Sequence, residues 1–341
     1  MKRSCCWMLA CALLLLLLLL LPGSTRRIFA AAPADQPVPA SAGISSNRLT
    51  GDLTLSLGNG VAMKMVLIPA GTFTMGSPES EKGRRADEGP QREVTITRPF
   101  YMGACEVTRG QFAQFVADSG FQAESDKDRG GSFGWNGTEF AVMTNASWRK
   151  TGYAQTDDHP VVSVSWNDAV GFCRWLSGKT GRSVHLPTEA QREYACRAGT
   201  KTAFPWGDNP DDGKGWANAN DQSTRNVYTN WSGFNWDDGF AFTAPVGSFK
   251  PNAFELQDMI GNVWEWCADW YTPSYTNAAT IDPTGEVRKP FHIMRGGGWY
   301  FPPEHCRSAR RGRSVSVNRS DDVGFRVVAE VEAPAGRKNP E

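Results

Sequence analysis

Histidine is scarce in this chain. Four residues, His159, His185, His292 and His305, are scattered over 341 positions, with no pair at i, i+4 and no His-Glu-x-x-His. That argues against a zinc hydrolase. There is no Gly-x-Ser-x-Gly elbow, no phosphate loop and no dinucleotide fingerprint, so the commonest hydrolase, NTPase and dehydrogenase chemistries have no carrier. Neither sign of charge is in excess, with 36 basic and 36 acidic residues. No repeat of fixed period is present. The longest apolar run, Met8 to Leu21, is shorter than the ~20 residues of a membrane span.

That run follows Lys2 and Arg3 and precedes Ala30, Ala31 and Ala32. A charged start, a leucine-rich centre and small residues at the end form an export signal, with cleavage expected near Ala32 and residues 1–32 lost. The alternatives are an uncleaved anchor or, with less support, a lipoprotein cysteine at Cys11, which precedes the leucine run instead of following it. Removing the signal takes four of the 36 basic residues, leaving 32 against 36 acids and a net charge of about −4. No nucleic-acid partner and no stable membrane span are expected of the mature protein, and its place is the periplasm or the extracellular space. Five cysteines remain, Cys105, Cys173, Cys196, Cys267 and Cys306. In an oxidising compartment an odd number points to one or two disulfides plus a spare thiol. One arrangement pairs Cys306 with Cys267 or another mature cysteine; the other leaves Cys306 as a reactive thiol.

The 35 glycines and 21 prolines indicate a loop-rich α+β fold with little regular secondary structure. Residues 33–60 read as a linker and an N-terminal strand, 61–331 as one domain and 332–341 as a tail. Alternation predicts strands at Leu53–Leu57, from Met65 onward, at Val94–Thr97 and at Phe100–Gly103. Ser80 to Gln91 is charged and is expected to be a surface loop. Three helices have side-chain caps: Thr108 before Gly110–Asp118, Ser165 before Asn167–Ser177, and Thr188 before Glu189–Cys196. Glu124 to Asp158 has no clear period and is expected to be irregular.

Several motifs stand in a fixed order between Met65 and Ala329. They are Ile68-Pro-Ala-Gly-Thr-Phe-Thr-Met-Gly76, Glu106-Val-Thr108, Pro160-Val-Val-Ser-Val-Ser-Trp166, Leu186-Pro-Thr-Glu-Ala190, Phe204-Pro-Trp-Gly207, Asp258-Met-Ile-Gly-Asn-Val-Trp-Glu-Trp266, Arg295-Gly-Gly-Gly-Trp299 and Gly324-Phe-Arg326. Together they resemble the formylglycine-generating enzymes, or sulfatase-modifying factors. The resemblance implies that family's fold, related to C-type lectins, and an activity that oxidises a cysteine of a protein substrate.

It also implies site residues. The family's active centre is a pair of cysteines five positions apart that binds Cu(I) linearly. Here Cys306 holds the second position and Phe301 the first, and Trp299 lies beside them. A phenyl ring offers no soft donor, so Cu(I) of the family's kind is not expected. The family's serine near this centre is Gly298. Two calcium sites are implied as well. One takes the Asp258 side chain, the Gly261 and Val263 carbonyls and the Glu265 carboxylate; the residues alone agree, since a turn with two carboxylates suits a hard cation. The other takes the Asn218 side chain and Ala219 carbonyl, then Asp238 and the Phe240 carbonyl, with Asn220 offering a second register. Cys173 and Cys196 match positions that are disulfide-bonded in the animal enzymes, but their partners there fall on Val327 and Arg311; pairing with each other is the remaining option. Arg307, Arg310, Arg311 and Arg313 form a basic cluster, expected to pair with acids such as Asp321 and Asp322. The histidine scatter speaks against the iron-binding, ergothioneine-making branch. The expected function is an exported family member, divergent or inactive in cysteine oxidation because of Phe301. The alternatives are a lectin-like module for peptide or glycan, or a periplasmic protein of the pyoverdine-maturation type.

Overall fold

The computed structural model describes residues 51–127, 131–228, 231–276, 278–285 and 287–332. The signal, the Ala32 cleavage point, most of the linker and the tail from 333 lie outside the described residues. Among the described residues, no helix is long and apolar enough to cross a membrane.

Two sheets carry the domain. The first has five antiparallel strands in the order Leu53–Gly58, Val61–Ile68, Phe100–Gly103, Val328–Glu330 and Val184–His185. The predicted turn at Gly58–Gly60 joins its first two strands, with Gly58, Asn59 and Gly60 all at positive φ. The second sheet orders Gly312–Ser314, His292–Arg295, Trp264–Trp270 and Val323–Gly324, the last pairing being parallel.

The three predicted helices form at Arg109–Ser119, Trp166–Thr180 and Glu189–Arg197. Each begins with the expected Thr or Ser accepting from the backbone of the third helical residue, whose own side chain bonds back to the cap. The segment expected to be irregular is more ordered than that. It contains a helical turn at Glu124–Lys127 and a hairpin pairing Ser132–Trp135 with Phe140–Met143. Gln222–Val227 forms a further short helix that carries no apolar period.

One apolar cluster gathers Phe112, Phe115, Phe172, Phe325 and Trp266 between the first two long helices and the sheets. The other gathers Ile68, Val94, Ala195, Phe204 and Cys306. Glu189–Arg197 packs on strands Trp264–Trp270 and His292–Arg295 of the second sheet and on the separate strand Gly71–Met75, with eight of its residues buried, four of them charged: Glu189, Arg192, Glu193 and Arg197. Buried charges demand partners, and these side chains position the site.

Candidate functional site

Strand His292–Arg295 ends in the Gly296–Gly298 turn. Gly296 and Gly297 have φ of 105° and 82°. A β-carbon at Gly297 would lie 2.6 Å from the Cys306 Sγ and 2.9 Å from the His305 carbonyl oxygen. Only glycine fits there, and its bareness lets Cys306 pack directly against the turn. Arg295 ties the turn to its surroundings: it donates to Glu189 (2.9 Å), to Glu193 (2.8 Å) and to the carbonyls of Ser308 (3.1 Å) and Arg310 (3.3 Å).

Cys306 is fully buried, and its thiol donates to the Phe301 carbonyl at 3.6 Å. Burial pushes the thiol up to about 12, so it is neutral at physiological pH. All five cysteines from Cys105 onward are free. This corrects the expected disulfides. Cys173 packs in the phenylalanine cluster and Cys196 in the other, and Cys306 pairs with neither Cys267 nor any other cysteine. The Phe301 ring is half-buried, stacked on Tyr300 (4.5 Å) and edge-on to Trp264 (5.4 Å) and His305 (5.4 Å). Trp299 is fully buried among Tyr153, Tyr228 and Phe242, with its backbone N–H on the Asn262 carbonyl at 2.9 Å. It is a packing residue that holds the turn to the Asp258–Glu265 loop.

The basic cluster does pair with acids, but with distant glutamates. Arg307 binds Glu81 and Glu88, and Arg311 grips both oxygens of Glu189 at 2.7 and 3.0 Å. The Ser80–Gln91 segment is the surface loop expected, mostly exposed, and is anchored through Glu81 and the buried Glu88. Asp321 and Asp322 are left without ion pairs among the described residues. Burial, then the charge of Asp322, raises Asp321 to about 8, and burial raises Asp322 to about 6. Asp321 keeps Oδ1 unpartnered, as does the buried Tyr228 hydroxyl. Trp135 donates its backbone N–H to Asp321, and Asp322 lies beside Gly298. A cavity of about 600 Å³, lined by Trp135, Met143, Lys150, Tyr153 and Phe242, opens over this aromatic nest. In the sequence, two adjacent acids ahead of Gly324-Phe-Arg326 are the only signal of this nest, and nothing marks Tyr153 or Tyr228 as part of it.

The two implied calcium positions differ. Glu265 does not offer a free carboxylate. Arg192 donates to its two oxygens at 2.7 and 2.9 Å, and Arg326 does the same at 2.7 and 2.9 Å. The Asp258 carboxylate turns to the Gly247 N–H (2.6 Å) and towards Glu106. Burial, then the neighbouring Asp258, holds Glu106 well above the usual carboxylate range. Asp258 keeps Oδ1 buried and unpartnered, but Glu265 is taken up by two guanidiniums and cannot join it, so the four residues do not form the expected cage.

The second position does fit a cation. Asp221 and Asp238 lie together without a basic partner among the described residues, and the Asp238 N–H donates to Asp221. Burial, then the Asp221 charge, lifts Asp238 to about 8. Asp238 accepts from the Ala219 (3.0 Å) and Phe240 (2.7 Å) N–H groups. Asn218 and Asn220, the two registers left open by the sequence, are both buried with Oδ1 unpartnered.

Residues 58–331 match the sulfatase-modifying factor enzyme 1-like domain. The chain belongs to the sulfatase-modifying factor family. It is 35% identical over 293 residues to the formylglycine-generating enzyme of Mus musculus, covering 78% of this chain and 75% of that protein. It is 31% identical over 317 residues to the inactive Cα-formylglycine-generating enzyme 2 of Bos taurus, covering 83% and 93%. Among solved structures, PvdO from Pseudomonas aeruginosa superposes with a TM-score of 0.67 at 32% identity, covering 83% of this chain and 99% of that one. The α+β fold expected of a sulfatase-modifying factor is thus the observed one.

Proposed function

We propose that this protein is an exported sulfatase-modifying factor that has left the two-thiol copper reaction and uses its cleft to engage a peptide or protein by other means. One observation carries the reading. Where the family's first cysteine stands there is a packed phenyl ring, and the remaining thiol is buried, protonated and hydrogen-bonded to that residue's own carbonyl. A soft, linear two-sulfur site has one donor left. The cleft beside Trp299 is lined by the aromatic faces of Trp135, Tyr153 and Phe242 with Asn136, Asn145 and Lys150 among them, features suited to binding a polar ligand. The likeness to PvdO over almost its whole length supports, as the second reading, the pyoverdine-maturation type that the sequence left as an alternative.

The test is direct. Purified protein should bind Cu(I) orders of magnitude more weakly than a two-thiol family member in a chelator competition, and should leave a Cys-x-Pro-x-Arg peptide unoxidised. Tight 1:1 copper binding with turnover would overturn the reading.

Calcium belongs to this proposal at the second position only, where Asn218, Ala219, Asp238 and Phe240, with Asp221 beside them, would hold it and where its charge would offset the buried Asp221 and the half-buried Asp238. Calcium at a hundredfold excess over Kd should stabilise the parent by about 2.7 kcal/mol. That is several degrees in Tm. Asp238→Asn should not respond. A parent melt unchanged by calcium and by chelator would remove this site from the proposal.

A further inference from the structure

We infer that in this chain a buried arginine, Arg192, stands in for the cation of the Asp258–Glu265 loop, so that the turn bearing Gly297 and Trp299 is held in place without metal. The inference is independent of what the cleft binds.

Three observations converge. The first is the direction of the loop's oxygens. A β-carbon at Gly296 would lie 3.1 Å from the Arg192 Nη2 and 3.6 Å from the carbonyl oxygens of both Met259 and Val263. The guanidinium tip and the loop carbonyls thus face one small region, and Nη2 donates to the Met259 oxygen at 2.8 Å. The second is saturation. Glu265 takes four hydrogen bonds from two planar forks, and Arg192, Arg326 and Glu265 have side chains no more than 1% exposed. A carboxylate held in two forks has its in-plane lone pairs used. Arg326 also reaches the carbonyls of Gln257 (3.0 Å) and Asp258 (3.3 Å), covering the loop from its other side. The third is the mounting. Arg192 sits on a capped helix whose neighbours Glu189 and Glu193 are fixed by Arg295, the strand residue that leads into the glycine turn. One helix therefore delivers the cation to the loop and receives the arginine of the turn. Asn262 then holds Trp299 through its carbonyl.

The experiment is calcium binding to the full chain by equilibrium dialysis, paired with melts in calcium and in EDTA. Asp238→Asn removes the second position while leaving the loop intact. This variant is expected to bind no calcium below millimolar concentrations and to melt at one temperature in both buffers. If Asp238→Asn still holds one tightly bound calcium, the inference is wrong. Arg192→Met, made in the Asp238→Asn background so that the second position cannot respond, removes one of the two guanidiniums on Glu265 and frees the Met259 carbonyl. The double variant should melt lower than Asp238→Asn in EDTA, and calcium should raise that melt where Asp238→Asn alone shows no shift. A double variant that folds and ignores calcium would count against the geometry; if it does not fold, the Asp238→Asn result decides alone.

Discussion

Glu189→Ala is expected to lower the unfolding free energy by about 3–5 kcal/mol, because it removes one partner from a buried ion network, strands Arg311 and leaves Arg295 with Glu193 alone. Arg295 and Arg311 both donate to the Glu189 carboxylate, at 2.9, 2.7 and 3.0 Å, and Tyr275 adds a fourth bond at 3.1 Å. Against a domain stability of roughly 5–15 kcal/mol, such a loss is large. Urea denaturation at neutral pH should show the midpoint falling sharply. A shift under about 1 kcal/mol would mean that the arginines find other partners. The same carboxylate sets an acid limit. Burial alone would raise its pKa, and the charges of Arg311 and Arg295 more than reverse this, holding it at about 2 against an ordinary 4.5. The folded-state value is depressed, so the stabilisation is complete above pH 4.5 and is lost as pH falls towards 2. The shift corresponds to about 3 kcal/mol. Glu189→Gln should therefore be less stable than the parent at pH 6 and should lose less of its remaining stability between pH 4.5 and pH 2.

That network also shows how far the sequence could be read. The helix starts were legible because Thr108, Ser165 and Thr188 each bond to the turn they open, a contact made within four residues. The first hairpin was legible because Gly58-Asn-Gly60 supplies positive φ between alternating strands. The family motifs marked the glycine turn and the Asp258–Glu265 loop in advance. The pairing of charges was not visible. Arg307 meets Glu88 across 219 positions, and Arg192 meets Glu265 across 73. No periodicity records which acid a given arginine will face. The helix Glu189–Arg197 misleads most, since by composition it is a solvent-facing helix and in the fold nearly every residue is interior. Nothing in the sequence marks Arg192 as interior, and Glu265, expected as a calcium ligand, is held instead by two arginines.

Phe301→Cys should raise Cu(I) affinity by orders of magnitude and bring copper-dependent oxidation of a Cys-x-Pro-x-Arg peptide within reach, since it restores the second soft donor on the Cys306 loop. The backbone favours the pairing. The Cys306 thiol already points at residue 301, at 3.6 Å from its carbonyl oxygen, and the intervening Pro302 and Pro303 fix the loop that separates them. Removing a half-buried ring costs packing against Trp264 and Tyr300, so a stability loss of up to about 3 kcal/mol is expected. Copper binding would offset part of it. Gly298 is the natural second change. A β-carbon there would sit 3.4 Å from the Phe301 ring, 3.5 Å from Trp264 and 3.6 Å from Asp322, all ordinary contacts. Gly298→Ser should therefore be tolerated alone and should enhance turnover when combined with Phe301→Cys, because it returns a hydroxyl beside the sulfur pair. Gly297 offers the internal control: any side chain there collides with the Cys306 sulfur, so Gly297→Ser should destabilise the protein and abolish the gained copper binding. If Phe301→Cys binds Cu(I) no better than the parent, the ring is not what disables the centre, and the burial of Cys306 beneath the glycine turn becomes the cause to remove next.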